Sequence, residues 1–151
     1  MKLFNDNIEE QEQSLKLFVV MSRAIQAVTK RVEEDIKSYG LNPTEFGVLE
    51  LLYNKGNQPI QKIGEKVLLA SSSITYVVDK LEKKQLIVRQ PCPNDRRVTY
   101  AAITDKGKQF MMEIFPKHKE AIHGIFQGLE LKEKQELIEQ LKKLGLYAQK
   151  L

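Results

Sequence analysis

Between Leu15 and Val28 the chain places apolar residues on nearly every side of any helix it could form. They are Leu15, Leu17, Phe18, Val19, Val20, Met21, Ala24, Ile25, Ala27 and Val28. A helix that is apolar all round has to be covered on more than one face. A chain of 151 residues cannot easily wrap such a helix by itself. The periodic stretch from about Ile8 to Tyr39 therefore predicts a helix held between its own domain and a second subunit. No apolar run approaches the roughly 18 to 20 residues that cross a bilayer, so no membrane partner is expected. With only eight Gly and five Pro, the composition also argues against a turn-rich all-β design.

Downstream, Gly40 suits a left-handed helix cap. Asn42-Pro43-Thr44-Glu45 then opens a second helix, with Asn42 as cap, Pro43 in the first turn and Glu45 reaching back in a capping box. Asn54-Lys55-Gly56-Asn57 stops it. A short helix follows over about Ile60 to Val67, then a turn at Leu68-Leu69-Ala70. Ser71-Ser72-Ser73 starts a helix to about Lys84, whose apolar positions Ile74, Val77, Val78 and Leu81 repeat at helical spacing. The period then changes. Leu86–Gln90 and Val98–Ile103 read as strands joined by the polar, basic tip Pro91-Cys92-Pro93-Asn94-Asp95-Arg96-Arg97. Thr104 caps a helix running toward Gln127, with a kink expected at Pro116. A last helix spans about Leu131 to Ala148.

This order, helix, short helix, polar-faced helix and basic hairpin, is that of a winged helix-turn-helix. The fold class expected is mainly α with a small β-hairpin wing and a helical dimerisation arm. Residues 1–39 would form a dimerisation helix, 40–104 the DNA-binding lobe and 105–151 the C-terminal dimerisation helices, all in one structural unit. Charge follows the same division. From Lys55 to Lys108 there are 11 Lys/Arg against 5 Asp/Glu, whereas the rest of the chain holds 13 against 15. Positive charge concentrated in one segment is a nucleic-acid footprint, although a solvated basic face would look the same.

A helix that enters a major groove about 12 Å wide needs short polar side chains at its front. Ser71, Ser72, Ser73 and Thr75 are candidates to donate to phosphates or base edges, Tyr76 to stack or touch a thymine methyl, and Lys80 to reach phosphate. At the hairpin tip, Arg96 and Arg97 suit a narrow A·T-rich minor groove, where the negative potential is enhanced. Asp95 would be repelled by DNA and is read as the residue that orients one of the two arginines. Taken singly, the serines are also ordinary helix caps and the tip an ordinary solvated turn. Their joint placement around one strand is what favours double-stranded DNA.

Three stretches carry a family resemblance. Asn42-Pro43-Thr44-Glu45-Phe46-Gly47-Val48-Leu49 resembles the opening of the DNA-binding domain of MarR-type regulators. Ser71-Ser72-Ser73-Ile74-Thr75-Tyr76-Val77-Val78-Asp79-Lys80-Leu81-Glu82 resembles their recognition helix. Asp95-Arg96-Arg97, followed by Ile103-Thr104-Asp105-Lys106-Gly107, resembles their wing and the start of a dimerisation helix. Ser14-Leu15-Lys16-Leu17-Phe18 and Leu68-Leu69-Ala70-Ser71 are similar to Bacillus-type repressors that respond to hydroquinones and related aromatics. The resemblance implies a homodimer on a pseudo-palindromic operator, usually repressing, and released by a small aromatic or quinone-type inducer. It also implies a ligand wall from the first, second and fifth helices, with Phe18, Ser22, Ile25, Phe46, Leu49, Phe110 and Ile114 as candidates. The same residues serve equally as plain hydrophobic core.

Other classes are less well supported. The first 13 residues are acid-rich, with Lys2 as their one basic residue, unlike a secretory signal. Cys92 is the only cysteine, which excludes an internal disulfide and a multi-thiolate zinc site, so a cytoplasmic protein is expected. Cys92 lies among Arg89, Arg96 and Arg97, and cations favour a reactive thiolate, so a thiol-based redox sensor is one alternative. It has no resolving partner in its own chain. His118 and His123 are five apart, whereas metal pairs on a helix favour three or four, so no metal and no cofactor are expected. No phosphate loop, nucleophile elbow or zinc-protease motif marks an enzyme. A winged helix used only for protein assembly is the other alternative, and strongly salt-dependent duplex binding would separate the two.

Overall fold

The computed structural model describes residues 2–67 and 73–151, with side chains from residue 6 onward. In chain order it contains α1 (Lys2–Lys37), α2 (Pro43–Lys55), β1 (Gln58–Pro59), α3 (Ile60–Lys66) and α4 (Ile74–Lys83). There follow β2 (Ile87–Pro91), β3 (Thr99–Ile103), α5 (Asp105–Ile125) and α6 (Leu131–Gln149). The architecture is mainly helical with one small sheet, that of a winged helix-turn-helix carrying long terminal helices. Among the described residues, no helix is long and apolar enough to cross a membrane.

Local chemistry accounts for the boundaries. Gly40 takes φ +78°, the left-handed value that a Cβ disfavours, and its N–H donates to the Lys37 carbonyl to close α1. At α2 the capping box forms in full. The Glu45 N–H donates to Asn42 Oδ1 at 2.7 Å, and Glu45 Oε1 accepts from the Asn42 N–H at 3.1 Å. Thr104 caps α5 by accepting from the Gly107 N–H at 3.0 Å.

The structure corrects several expected boundaries. α1 begins at Lys2 rather than near Ile8, and α5 continues through Pro116 to Ile125. α4 begins at Ile74, not in the serine run. Ser73 is the cap, outside the helix, and its side chain makes no capping bond. Ser71 and Ser72 lie outside the described residues, as does the Leu68–Ala70 turn. β1 was not expected at all. Its two residues pair antiparallel with β3, Gln58 opposite Ala101 and Pro59 opposite Tyr100, giving the order β1-β3-β2. Two residues are too few for an alternating pattern, and proline is tolerated there because β1 is an edge.

The core lies in the lobe. Val48, Leu49, Leu52, Ile63, Val77, Val78, Leu81, Ile87, Ala101 and Met111 are essentially closed to solvent. Each large apolar side chain so buried contributes roughly 1.5–3 kcal/mol relative to exposure. α1 joins this core only near its end, through Ile36 with Val32 and Tyr39 beside it. Its centre stays open, with Leu15, Leu17, Phe18, Val19, Val20 and Ile25 all exposed. α6 has no buried residue, and its stripe of Leu137, Ile138, Leu141, Leu144 and Tyr147 is likewise uncovered.

One corner joins the wing to α5. The Thr104 hydroxyl donates to the Gln85 carbonyl at 2.7 Å, and the Thr104 N–H donates to the Leu86 carbonyl at 3.0 Å. Gly107 packs against that same carbonyl. A Cβ at Gly107 would sit 2.2 Å from the Leu86 oxygen and 2.7 Å from Ile103 Cγ1. Backbone cannot yield as a flexible side chain can. Gly107→Ala is therefore expected to destabilise by about 1–3 kcal/mol, despite the better helix propensity of alanine. The check is a lower denaturant midpoint at unchanged m-value. An unchanged midpoint would mean that the corner gives way freely.

Candidate nucleic-acid interface and the cleft behind it

α4 is two-faced. Val77, Val78 and Leu81 are sealed in the core, while Thr75 and Tyr76 face outward, Tyr76 with 63% of its surface exposed. Ser73 is exposed at the helix start. Lys80 lies one turn beyond Tyr76 and is half-buried. Its ammonium is turned toward α2, 3.5 Å from Glu45 Oε1.

Glu45 is the interior charge of the lobe. Its side chain is only 2% exposed, and Lys84 Nζ lies 2.8 Å from Oε2. Burial pushes this carboxyl up. The Lys84 ammonium, the Asn42 N–H and Lys80 together outweigh burial and hold it below the ordinary carboxylate value.

The wing is braced at both ends. At its tip, Asp95 Oδ1 accepts from the Arg97 N–H at 3.0 Å and from Arg97 Nε at 3.2 Å. The Arg97 side chain remains 91% exposed, and Arg96 is exposed beside it. At its base, Arg89 pairs with Asp79 and with Glu82 Oε1 at 2.9 Å, and its N–H donates to Glu82 Oε2 at 3.1 Å. Strand β2 is thereby fixed to α4. The Asp79 hydrogen bond, then Asp79 and Glu82 charge, raise the Arg89 pKa against burial. Arg89 is thus committed to two carboxylates and not a free cation beside Cys92, which is itself half-buried with its N–H on the Val98 carbonyl.

A cleft of about 280 Å³ opens between α1, α2, α5 and the end of α3. Val32, Ile36, Phe46 and Leu51 give it apolar walls, and Glu50 and His118 supply polar groups. His118 is buried. Its Nδ1 is 2.8 Å from Asp35 Oδ2, its Nε2 is 3.9 Å from Glu50 Oε2, and its ring centroid is 4.4 Å from that of Phe46. The Tyr39 hydroxyl donates to the other Asp35 oxygen at 2.7 Å. Burial raises the Glu50 pKa, partly offset by His118. A second cleft, of about 680 Å³, lies between α5 and α6, and Glu50 and His118 reach it as well.

The seven residues suggested for a ligand wall are only partly brought together. Phe46 lines the cleft between α1, α2 and α5. Leu49 and Ile114 are buried in the core, with Phe110 packed against it. Phe18 and Ile25 are exposed on α1, and the Ser22 hydroxyl donates to the Phe18 carbonyl at 2.8 Å. Asp35, Glu50 and the placement of His118 between them are not legible in the sequence. Asp35 and His118 are 83 positions apart, so no local spacing links them. Among the described residues, no group of His, Cys, Asp and Glu could hold a metal ion.

The MarR family model matches residues 41–99, which span α2 to the start of β3. The chain is 53% identical over 137 residues to the HTH-type transcriptional regulator MhqR of Bacillus subtilis (strain 168), covering 91% of this chain and 94% of that protein. The fold matches the crystal structure of AbsC, a MarR family transcriptional regulator from Streptomyces coelicolor. The TM-score is 0.79 at 19% identity, over 91% of this chain and 95% of that one. It also matches Sco3205, a MarR family regulator of the same organism crystallised in complex with DNA. Here the TM-score is 0.76 at 18% identity, over 87% and 84% of the two chains. The chain belongs to the MarR family of DNA-binding transcriptional regulators, which are not enzymes.

Proposed function

We propose that this regulator is a homodimeric repressor that binds a pseudo-palindromic operator and is released by a small aromatic or quinone-type ligand. The observation that carries the dimer is the pair of uncovered apolar faces on α1 and α6. Water-exposed Leu, Phe and Val in such numbers fit a surface covered by a second copy. Two-fold symmetry would then set two α4 helices about 34 Å apart, one turn of duplex. Ser71, Ser72, Ser73, Thr75, Tyr76 and Lys80 would serve the major groove, and Arg96 and Arg97 the minor groove, with Asp95 holding Arg97 in place. The cleft between α1, α2 and α5 supports the release step. Its walls are mostly apolar, with Glu50, His118, Asn54, Lys55 and Lys66 as polar groups at its lining, and its volume is near the lower end of the roughly 300–1,000 Å³ typical of ligand sites. A phenolic hydroxyl would find Glu50 as an acceptor and His118 as a partner.

The deciding experiment is a footprint on DNA flanking the gene, at near-physiological salt. Two protected half-sites one turn apart are expected, and absence of any operator in a random-library selection would defeat the reading. With that operator, Arg97→Ala is expected to lose about 1–3 kcal/mol of binding and to flatten preference at outer A·T positions. Unchanged affinity and preference would remove the wing from recognition. For the dimer, Leu141→Glu with Leu144→Glu should yield monomers by sedimentation, and persistent dimers would place the interface elsewhere. A hydroquinone at saturation should weaken operator binding about 5–150-fold, with the reciprocal loss of ligand affinity on the operator complex. Equal operator affinity with and without it would rule out release by this ligand class.

A further inference from the structure

We propose that Glu45 is a positioning residue that withholds positive charge from the DNA face, so that selectivity for operator over arbitrary duplex depends on a buried carboxylate. The inference rests on the DNA-binding reading of α4. Glu45 lies on α2, beneath the recognition helix, and reaches no solvent of its own. Its two oxygens divide between two lysines of α4 and its end. Oε2 is 2.8 Å from Lys84 Nζ, and Oε1 is 3.5 Å from Lys80 Nζ.

Lys80 and Lys84 are four apart and therefore share a side of the helix, as do Tyr76 and Lys80. Both lysine side chains are still 37–43% exposed, so both remain within reach of water and of phosphate. The three groups together carry one net positive charge where two would otherwise stand. Binding to arbitrary duplex is governed by the number of phosphates neutralised, each worth about 0.9 in the slope of log affinity against log salt. A carboxylate that occupies one lysine removes about one such contact. It also anchors the helix that must read base edges, since contacts to phosphate position a protein but carry no sequence information.

Glu45→Gln is the smallest change that tests this, because the glutamine Oε1 can serve the capping box as glutamate does while its amide NH2 replaces the acceptor facing Lys84. Binding of purified full-length protein to a random-sequence 30-bp duplex and to the selected operator would be titrated across a salt series. For Glu45→Gln the slope on random duplex should steepen by about one. Affinity for random duplex near 0.1 M salt should rise several-fold, and the operator-to-random ratio should fall by a similar factor. Glu45→Gln combined with Lys84→Met restores a single net charge and should return the slope to that of the native protein. Lys84→Met alone leaves the buried Glu45 in place and turns it wholly toward Lys80, so its slope should become shallower by about one.

A purely structural role would lower both affinities together with thermal stability and leave every slope unchanged. That outcome would overturn the proposal, as would an unmoved slope in Lys84→Met should Glu45→Gln fail to fold. Absence of salt-dependent duplex binding by the native protein would instead overturn the DNA-binding reading, and this inference with it. The native arm alone reports that case.

Discussion

Helix α2 is the member on which the rest of the structure leans. It is buried on both sides, with Thr44, Glu45, Phe46, Val48, Leu49 and Leu52 all closed to solvent. Successive residues of a helix point about 100° apart, so neighbours in sequence serve different parts of the molecule. Glu45 turns to the lysines of α4, and Phe46 turns to His118 of α5. The position of α4 and the cleft wall are thus set by adjacent residues on one helix. Its start is secured by the capping box, in which Glu45 also takes part. A shift of α2 would therefore move the cleft and α4 together.

The charged groups divide by function. Arg89 and Glu45 are spent on holding elements together, Arg89 fixing the wing to α4 and Glu45 fixing α4 to α2. Arg96 and Arg97 keep their exposure, Arg97 while its Nε donates to Asp95. Arginine in the first role exploits its planar fork, which engages two carboxylates at once. The basic segment from Lys55 to Lys108 is therefore not uniformly available to DNA, although its composition alone suggests that it is.

Much of this was legible in sequence because the governing interactions are local. The Asn42–Glu45 capping box, the Gly40 cap, the Thr104 cap and the change from helical to alternating period all act over four residues or fewer, and the structure shows each in place. The Asn42–Leu49, Ser71–Glu82 and Asp95–Gly107 stretches carry the resemblance to the MarR family, to which the chain belongs. Less legible was the start of α4, where serine propensity for a cap did not say which of three serines would take the position. The edge strand at Gln58–Pro59 carries no alternation to read. Nor could charge counting show that Lys80, read as a phosphate contact, faces a buried carboxylate 35 positions away.

By itself the sequence determined the order of the helices and of the two hairpin strands, the helical character of its ends and the placement of Arg96 and Arg97 at a turn. It did so because period, caps and turn chemistry act between near neighbours. Only the tertiary structure decided which charges are committed and which are free. It joined Asp35, Glu50 and His118 around one cleft, and Glu45, Lys80 and Lys84 beneath the recognition helix. Those groups lie far apart along the chain. Their meeting follows from how α2 packs against α1, α4 and α5, which no local pattern encodes.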